Sequence, residues 1–222
     1  MKKTDVFKFK PLEITPLIPL SQEPKIFEDN DGPEPTQRQI KNFRDRHRQI
    51  TPPLVKRQLR QHKSDTMHGA YSVNEQIPKE FHRSTKDIDI WSKSPKQRAI
   101  QIENQLDKKA GCDIARVKEE AIGIDPNALV STEMPPKDKP VHKRYVVETE
   151  PKDDLDIDYT TYPTDEPYKR RLYKSIYHET LDSAYGRAKK LLNYPMRSAK
   201  ASEDVKRIEG YWQSKKKRRK NK

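Results

Sequence analysis

The sequence predicts a mainly α-helical, non-globular chain, with a small helical hairpin at 94–123 and separate helices carried on long extended or irregular segments. Two observations lead there. Leu, Ile, Val and Phe account for 42 of 222 residues while 36% are charged, a balance that leaves too little apolar surface for a large core. Eighteen prolines stand against six glycines. Because proline fixes φ and favours polyproline II, the linkers should be stiff and extended, with much of the order supplied by partners.

Residues 1–35 form an extended proline-rich arm. Pro11, Pro16 and Pro19 exclude a helix and leave Leu12, Ile14, Leu17, Ile18 and Leu20 as an apolar strip expected to dock in a groove on a partner protein. Residues 36–63 read as a basic helical pair. Thr36 and Gln39 have the spacing of a capping box, and Ile40, Phe43, His47 and Ile50 share one face. Thr51-Pro52-Pro53 should interrupt the run before a second short helix carrying Leu54, Val55 and Leu59. The pair holds nine Lys or Arg against one acid. Arg38, Lys41, Arg44, Arg46, Arg48, Lys56, Arg57 and Arg60 are therefore expected to bind nucleic-acid phosphate, which suits the planar guanidinium fork.

Residues 64–93 read as an irregular linker. Within it Asp87-Ile88-Asp89-Ile90-Trp91 alternates as a short strand or an anchor would, and Trp91 is expected to cover the first turn of the following hairpin. The hairpin itself occupies 94–124. Ser94 is a cap, Pro95 suits the first helical position, and Ala99, Ile102, Leu106 and Ala110 make an apolar stripe that Gly111 closes. Asp113 then caps a second helix, with Ile114, Val117 and Ala121 continuing the stripe to Gly123. From Ile102 to Ile122 this arrangement resembles the helix-turn-helix of bacterial repressors, with Leu106, Ala110, Gly111, Cys112 and Val117 at its buried and turn positions. The resemblance implies a DNA-reading second helix, although Asp107 takes a place that the family fills with a small apolar residue.

Residues 125–163 are expected to form a proline-rich and acidic linker with one short strand at 142–147. The tract 148–166 carries eight acids and one lysine, enough to repel nucleic acid or to meet a basic partner. Residues 164–194 read as a long amphipathic helix capped by Thr164, whose apolar face includes Tyr173, Ile176, Tyr177, Leu181, Ala184 and Ala188. Tyr173, Tyr177 and Leu181, together with Trp91, are the expected protein-docking residues of the helical part. Residues 195–222 close the chain with a short helix and a basic tail. Lys215, Lys216, Lys217, Arg218, Arg219 and Lys220 in that tail read as a second phosphate-binding block or a nuclear-localisation signal.

Chemical motifs are sparse. The glycines at 32, 69, 111, 123, 186 and 210 stand too far apart for a phosphate-cradling loop, no two histidines are four residues apart, and Cys112 is the single cysteine. Carboxylate pairs such as Asp153-Asp154 lie in a tract too polar to tune them for acid–base work. No enzyme, cofactor or metal is expected, and no stretch has the length of a membrane span. The expected function is that of a non-enzymatic structural or scaffold component of a large macromolecular assembly of ribonucleoprotein type. It would tether several protein subunits and bind nucleic acid, RNA rather than DNA, without sequence specificity. An acidic protein surface is the alternative partner, as for a cementing protein of a virus capsid or a microtubule wall; a helix-turn-helix regulator is the third reading. The expected location is nuclear, otherwise cytoplasmic or within a virion or cytoskeletal assembly.

Overall fold

Alternating sequence, rather than helical periodicity, organises this chain. The computed structural model describes residues 25–26, 33–122, 142–150, 155–162 and 168–220. Its elements are β1 (Lys25–Ile26), α1 (Gln37–Gln61), β2 (Thr66–His68), α2 (Gly69–Gln76), a 3-10 turn (Lys79–Phe81), β3 (Asp87–Trp91), α3 (Pro95–Ala110), β4 (Ala115–Ile122), β5 (His142–Thr149), β6 (Asp156–Thr160), β7 (Arg170–Tyr173), β8 (Ile176–Glu179), α4 (Leu181–Leu191) and α5 (Pro195–Lys220). The strands form one eight-stranded mixed sheet in the order β1-β4-β5-β6-β3-β2-β8-β7. The β3–β6 and β2–β8 pairs are parallel and the others antiparallel.

Because strand side chains alternate, Ile88 and Ile90 of β3, Ile157 and Tyr159 of β6, Val147 of β5 and Val117 of β4 enter one core with Val55, Leu59, Ile102 and Leu106 of α1 and α3. Burying each aliphatic side chain there contributes about 1.5–3 kcal/mol. A second cluster of Val73, Ile77, Leu181, Ala184 and Ile208 joins α2, α4 and α5. The polar faces of β3 and β6 are left for the site.

This α/β architecture corrects the mainly helical, non-globular expectation. Fewer large apolar residues suffice because alternation concentrates those of the described strands on one face of the sheet, against α1 and α3. α1 forms as a single helix with its predicted capping box, running through Pro52 and Pro53. Interior prolines cost about 3 kcal/mol each. Leu54, Val55 and Leu59 lie beyond them on the same buried stripe as Phe43 and His47, and their burial offsets that cost.

The hairpin survives by half. α3 starts at Pro95 and ends at Gly111 with φ 74°, as expected, but the predicted second helix is strand β4, paired residue by residue with β5 from Ala115↔Thr149 to Ile122↔His142. Two α3 carboxylates hold its start. Asp107 Oδ1 accepts from the Ile114 and Ala115 amides at 2.8 and 2.9 Å, and Glu103 Oε1 accepts from the Val117 amide at 2.9 Å. Asp107, ill-suited to a helix-turn-helix, is thus suited to a helix–strand junction.

The predicted helix at 164–194 is instead hairpin β7–β8 followed by α4, which Thr180 caps through the Ser183 amide. The short final helix and tail are one helix, α5, continuous to Lys220. Leu12, Ile14, Leu17, Ile18, Leu20, Thr164 and the Asp153-Asp154 pair lie outside the described residues. Among the described residues, no helix is long and apolar enough to cross a membrane.

Candidate active site

The tripeptide Asp-Ile-Asp occurs twice, at Asp87-Ile88-Asp89 and Asp156-Ile157-Asp158, and the fold sets the two copies side by side. In the parallel β3–β6 ladder Asp87 pairs with Asp156 and Asp89 with Asp158. Their isoleucines point into the core, so all four carboxylates emerge on the opposite face. Backbone spacing places paired aspartates about 5 Å apart across the strands and successive ones about 7 Å apart along them. The strands are central, so the row is rigidly held.

Gly69 sits against this row at the start of α2. Its φ is +68°, and a Cβ built on it would lie 2.0 Å from Asp89 Oδ2. Glycine is therefore required both by the left-handed backbone and by the carboxylate resting on it. The Gly69 end of α2 and the Asp87–Asp89 strand border a cleft of about 470 Å3, whose other walls include Arg187, Arg197, Lys200 and Arg83, the last paired with Asp204 at 2.7 Å. Two carboxylates, Asp87 and Asp89, facing the exposed cations Arg197 and Lys200 suit a ligand carrying both a metal ion and phosphates. A second groove, about 590 Å3, lies at the start of α3 beside Tyr145, away from these aspartates.

Burial raises the Asp89 carboxyl to about 6, with Arg187 opposing the rise and Asp87 adding to it. Asp158 is raised further, to about 7, by burial first; Arg144 opposes this and Asp89 reinforces it. Asp156 is also raised, chiefly by burial and then by Glu148 and Asp87. Burial and their mutual repulsion disfavour the ionised forms of these acids, a cost that a cation would offset. Arg144 Nη2 already grips Asp158, at 2.9 and 2.8 Å from its two oxygens. Arg187 is held charged against burial by Glu179, which its Nη2 meets at 2.7 Å. His68 is kept neutral, chiefly by burial and then by Arg187; both ring nitrogens are buried without a partner, and the ring stacks on Trp91 at 4.1 Å.

Among the described residues, no three His, Cys, Asp or Glu side chains converge as a ready-made metal centre. Asp158, the cross-strand neighbour of Asp89, is turned toward Arg144. The donor set, hard carboxylate oxygens only, fits Mg2+ or Mn2+.

The sequence-predicted phosphate-binding residues stand elsewhere. Arg38, Lys41, Arg44, Arg46, Arg48 and Arg60 are exposed on α1, whose buried stripe packs on the opposite face of the sheet. Lys56 pairs with Glu75 at 2.8 Å, and Arg57 donates to Gln105 at 2.7 Å. Lys215, Lys216, Lys217, Arg218, Arg219 and Lys220 are exposed along the last turns of α5. Of the predicted docking residues, Trp91 is buried against His68, Tyr162 and Tyr168, and Leu181 is buried in the second cluster. Tyr173 and Tyr177 are half-buried on β7 and β8. Sequence reasoning missed Gly69, Asp87, Asp89 and Asp158. The legible signal was the repeated Asp-Ile-Asp, whose alternation already placed each pair of carboxylates on one strand face.

No protein-family model matches this chain, and no curated protein matches its sequence. Among solved structures, the Megavirus polyadenylate synthase matches with a TM-score of 0.55 and 15% identity, over 79% of this chain and 34% of that one. JHP933 from Helicobacter pylori matches at a TM-score of 0.31 and 8% identity, over 69% of this chain and 56% of that one; at that score the likeness carries no weight. This chain therefore spans about a third of the polyadenylate synthase it resembles. The match corrects the expectation of a mainly helical, non-enzymatic scaffold, with its capsid, microtubule and helix-turn-helix alternatives: the fold is α/β and is shared with a polyadenylate synthase.

Proposed function

We propose that this chain transfers a nucleotidyl group from a nucleoside triphosphate to an acceptor hydroxyl at the Asp87–Asp89–Asp158 face. The observation that carries this is the in-register pairing of the two Asp-Ile-Asp strands beside Gly69, in a fold shared with a polyadenylate synthase. Asp87 and Asp89 would hold a divalent cation, which supplies Lewis-acid polarisation of phosphate oxygens when bound. The Gly69 end of α2, against which the Asp89 carboxylate rests, would face the phosphate beside the cation. Arg197 and Lys200, exposed at the cleft mouth, orient the departing phosphates. The acceptor oxygen bonds to the α-phosphorus, the bond from that phosphorus to the bridging oxygen breaks, and pyrophosphate leaves. Asp158 Oδ takes the hydroxyl proton, with Arg144 steadying the carboxyl.

The test is incorporation of labelled nucleotide into an oligonucleotide by the purified chain with Mg2+ or Mn2+. Transfer by the wild type that falls at least about 100-fold in Asp87→Asn and Asp89→Asn supports the reading. Transfer that is indifferent to both substitutions, or a wild type that neither binds Mn2+ nor releases pyrophosphate, overturns it.

A further inference from the structure

The β7–β8 hairpin carries cations and aromatic rings that do not line the cleft, with Arg171 donating to Gln76 Oε1 at 2.9 Å and Arg170 to the Lys63 and Ser64 carbonyls. β7 is the last strand of the sheet, so its outer edge is unpaired among the described residues. The register sets Leu172 opposite Tyr177, with Arg170 on the same face. The Arg170 guanidinium lies 4.4 Å from the centre of the Tyr177 ring, and Leu172 is 58% exposed. Arg171 and Lys174 lie over Tyr173 at 5.6 and 5.2 Å. Lys169 is exposed alongside, and Lys63 reaches in from the end of α1 to donate to the Ser175 carbonyl at 2.9 Å. Among the described residues of this hairpin the only acid is Glu179, which is buried and held by Arg187.

The turn is independently informative. Lys174 and Ser175 both have positive φ, 48° and 65°. A two-residue turn of this kind favours Asn-Gly, and each residue with a Cβ is strained there. Strain of this sort is kept where the displaced residue has work to do. Here the displaced residue is a lysine aimed at a tyrosine face.

We propose that this hairpin binds single-stranded nucleic acid, the acceptor strand of the transfer proposed above, on which the inference rests for the word acceptor but not for the binding. Cations interleaved with aromatic faces bind single strands by pairing with phosphates and stacking on bases. The charge complementarity names a polyanion, and the tyrosines and exposed Leu172 favour one whose bases are unpaired. The hairpin lies three strand spacings, about 14 Å, from the Asp87–Asp89 strand, so a strand held there needs only a few nucleotides to reach the cleft.

Anisotropy of a labelled mixed-sequence RNA of about 12 nucleotides, titrated with the full chain across a salt series, tests this. Arg170→Ala with Tyr177→Ala should weaken binding by about five- to a hundred-fold. The more discriminating variant is Lys174→Asn with Ser175→Gly. Relief of turn strain raises its Tm by a few degrees, about 2–4 °C per kcal/mol, while loss of the cation weakens RNA binding and flattens the salt dependence. A destabilised fold cannot explain weaker binding in a more stable protein. RNA affinity unchanged in both variants overturns the proposal, as does equal affinity for a duplex of the same sequence. Asp87→Asn should leave RNA binding intact; binding that persists in a wild-type chain without transferase activity removes the proposed reaction and leaves the surface standing.

Discussion

Replacing Gly69 by alanine puts the proposed site to its most direct structural test. The new Cβ would stand 2.0 Å from Asp89 Oδ2 and 2.9 Å from its Cγ, where ordinary contact begins at 3.4 Å. The carboxylate must therefore move by about 1.4 Å, or the start of α2 must withdraw by as much. The φ of +68° adds about 1–2 kcal/mol of backbone strain for any residue with a Cβ. The fold should survive, since Gly69 lies outside the two clusters that supply most apolar burial. Thermal unfolding should report a Tm lower by about 3–8 °C. Chemistry should suffer more, because a misplacement of about 1 Å in a reacting constellation costs about 100-fold. The assay is nucleotide incorporation together with Mn2+ affinity, with far-UV circular dichroism to confirm the fold. A folded Gly69→Ala protein with wild-type transfer and wild-type Mn2+ affinity would refute the idea that Asp89 and the start of α2 work as a unit.

Three further outcomes follow from the packing and the electrostatics. Asp89 and Asp158 are raised to about 6 and about 7, so the folded chain holds their protons more tightly than the unfolded chain. Their contribution therefore favours folding at low pH and is lost as pH rises from about 4 through 7, by up to about 4 kcal/mol for Asp158. Tm against pH should show this fall, Asp158→Asn should flatten it, and Mn2+ should raise Tm more at pH 7.5 than at pH 5.5; a Tm unmoved by Mn2+ at either pH contradicts it. Asp107→Ala strands the Ile114 and Ala115 amides and should cost about 1–3 kcal/mol in urea unfolding, whereas a helix-turn-helix would gain from the change. Ile102→Ala, fully buried, should cost about 2–5 kcal/mol, while Leu172→Ala, 58% exposed, should stay within about 0.5 kcal/mol.

Local signals were legible wherever a short stretch determines its own geometry. Thr36 and Gln39 close the predicted capping box, Pro95 opens α3, and Gly111 ends it in the left-handed region. The strand expected at 142–147 forms as β5, and the alternating stretch at Asp87 forms as β3. Where sequence reasoning failed, an apolar spacing admitted two periods. Tyr173, Ile176 and Tyr177 fit a helical stripe, yet they fold as a hairpin because Ile176 and His178 find burial beside β2 and α1. Ile114 and Val117 fit a second helix, yet Ile114 ends up just ahead of β4 and Val117 within it, because β5 offers eight paired residues and α3 offers two carboxylates for the amides at its start.

The site shows the same division. Alternation alone places Asp87 with Asp89, and Asp156 with Asp158, on single strand faces, and a capped helix or a turn glycine is likewise a property of a few neighbouring residues. Nothing local brings together two tripeptides that stand 69 positions apart. That juxtaposition arises only when β6 adds in parallel beside β3 and buries both isoleucine rows, and the gain from their shared core is what drives four like charges onto one face. The sequence by itself determined the capping box that opens α1, both ends of α3 and the short strands β3 and β5. The tertiary structure decided which strands became neighbours, and with that whether Asp156 and Asp158 stood in a solvated linker or in a central strand beside Asp87 and Asp89.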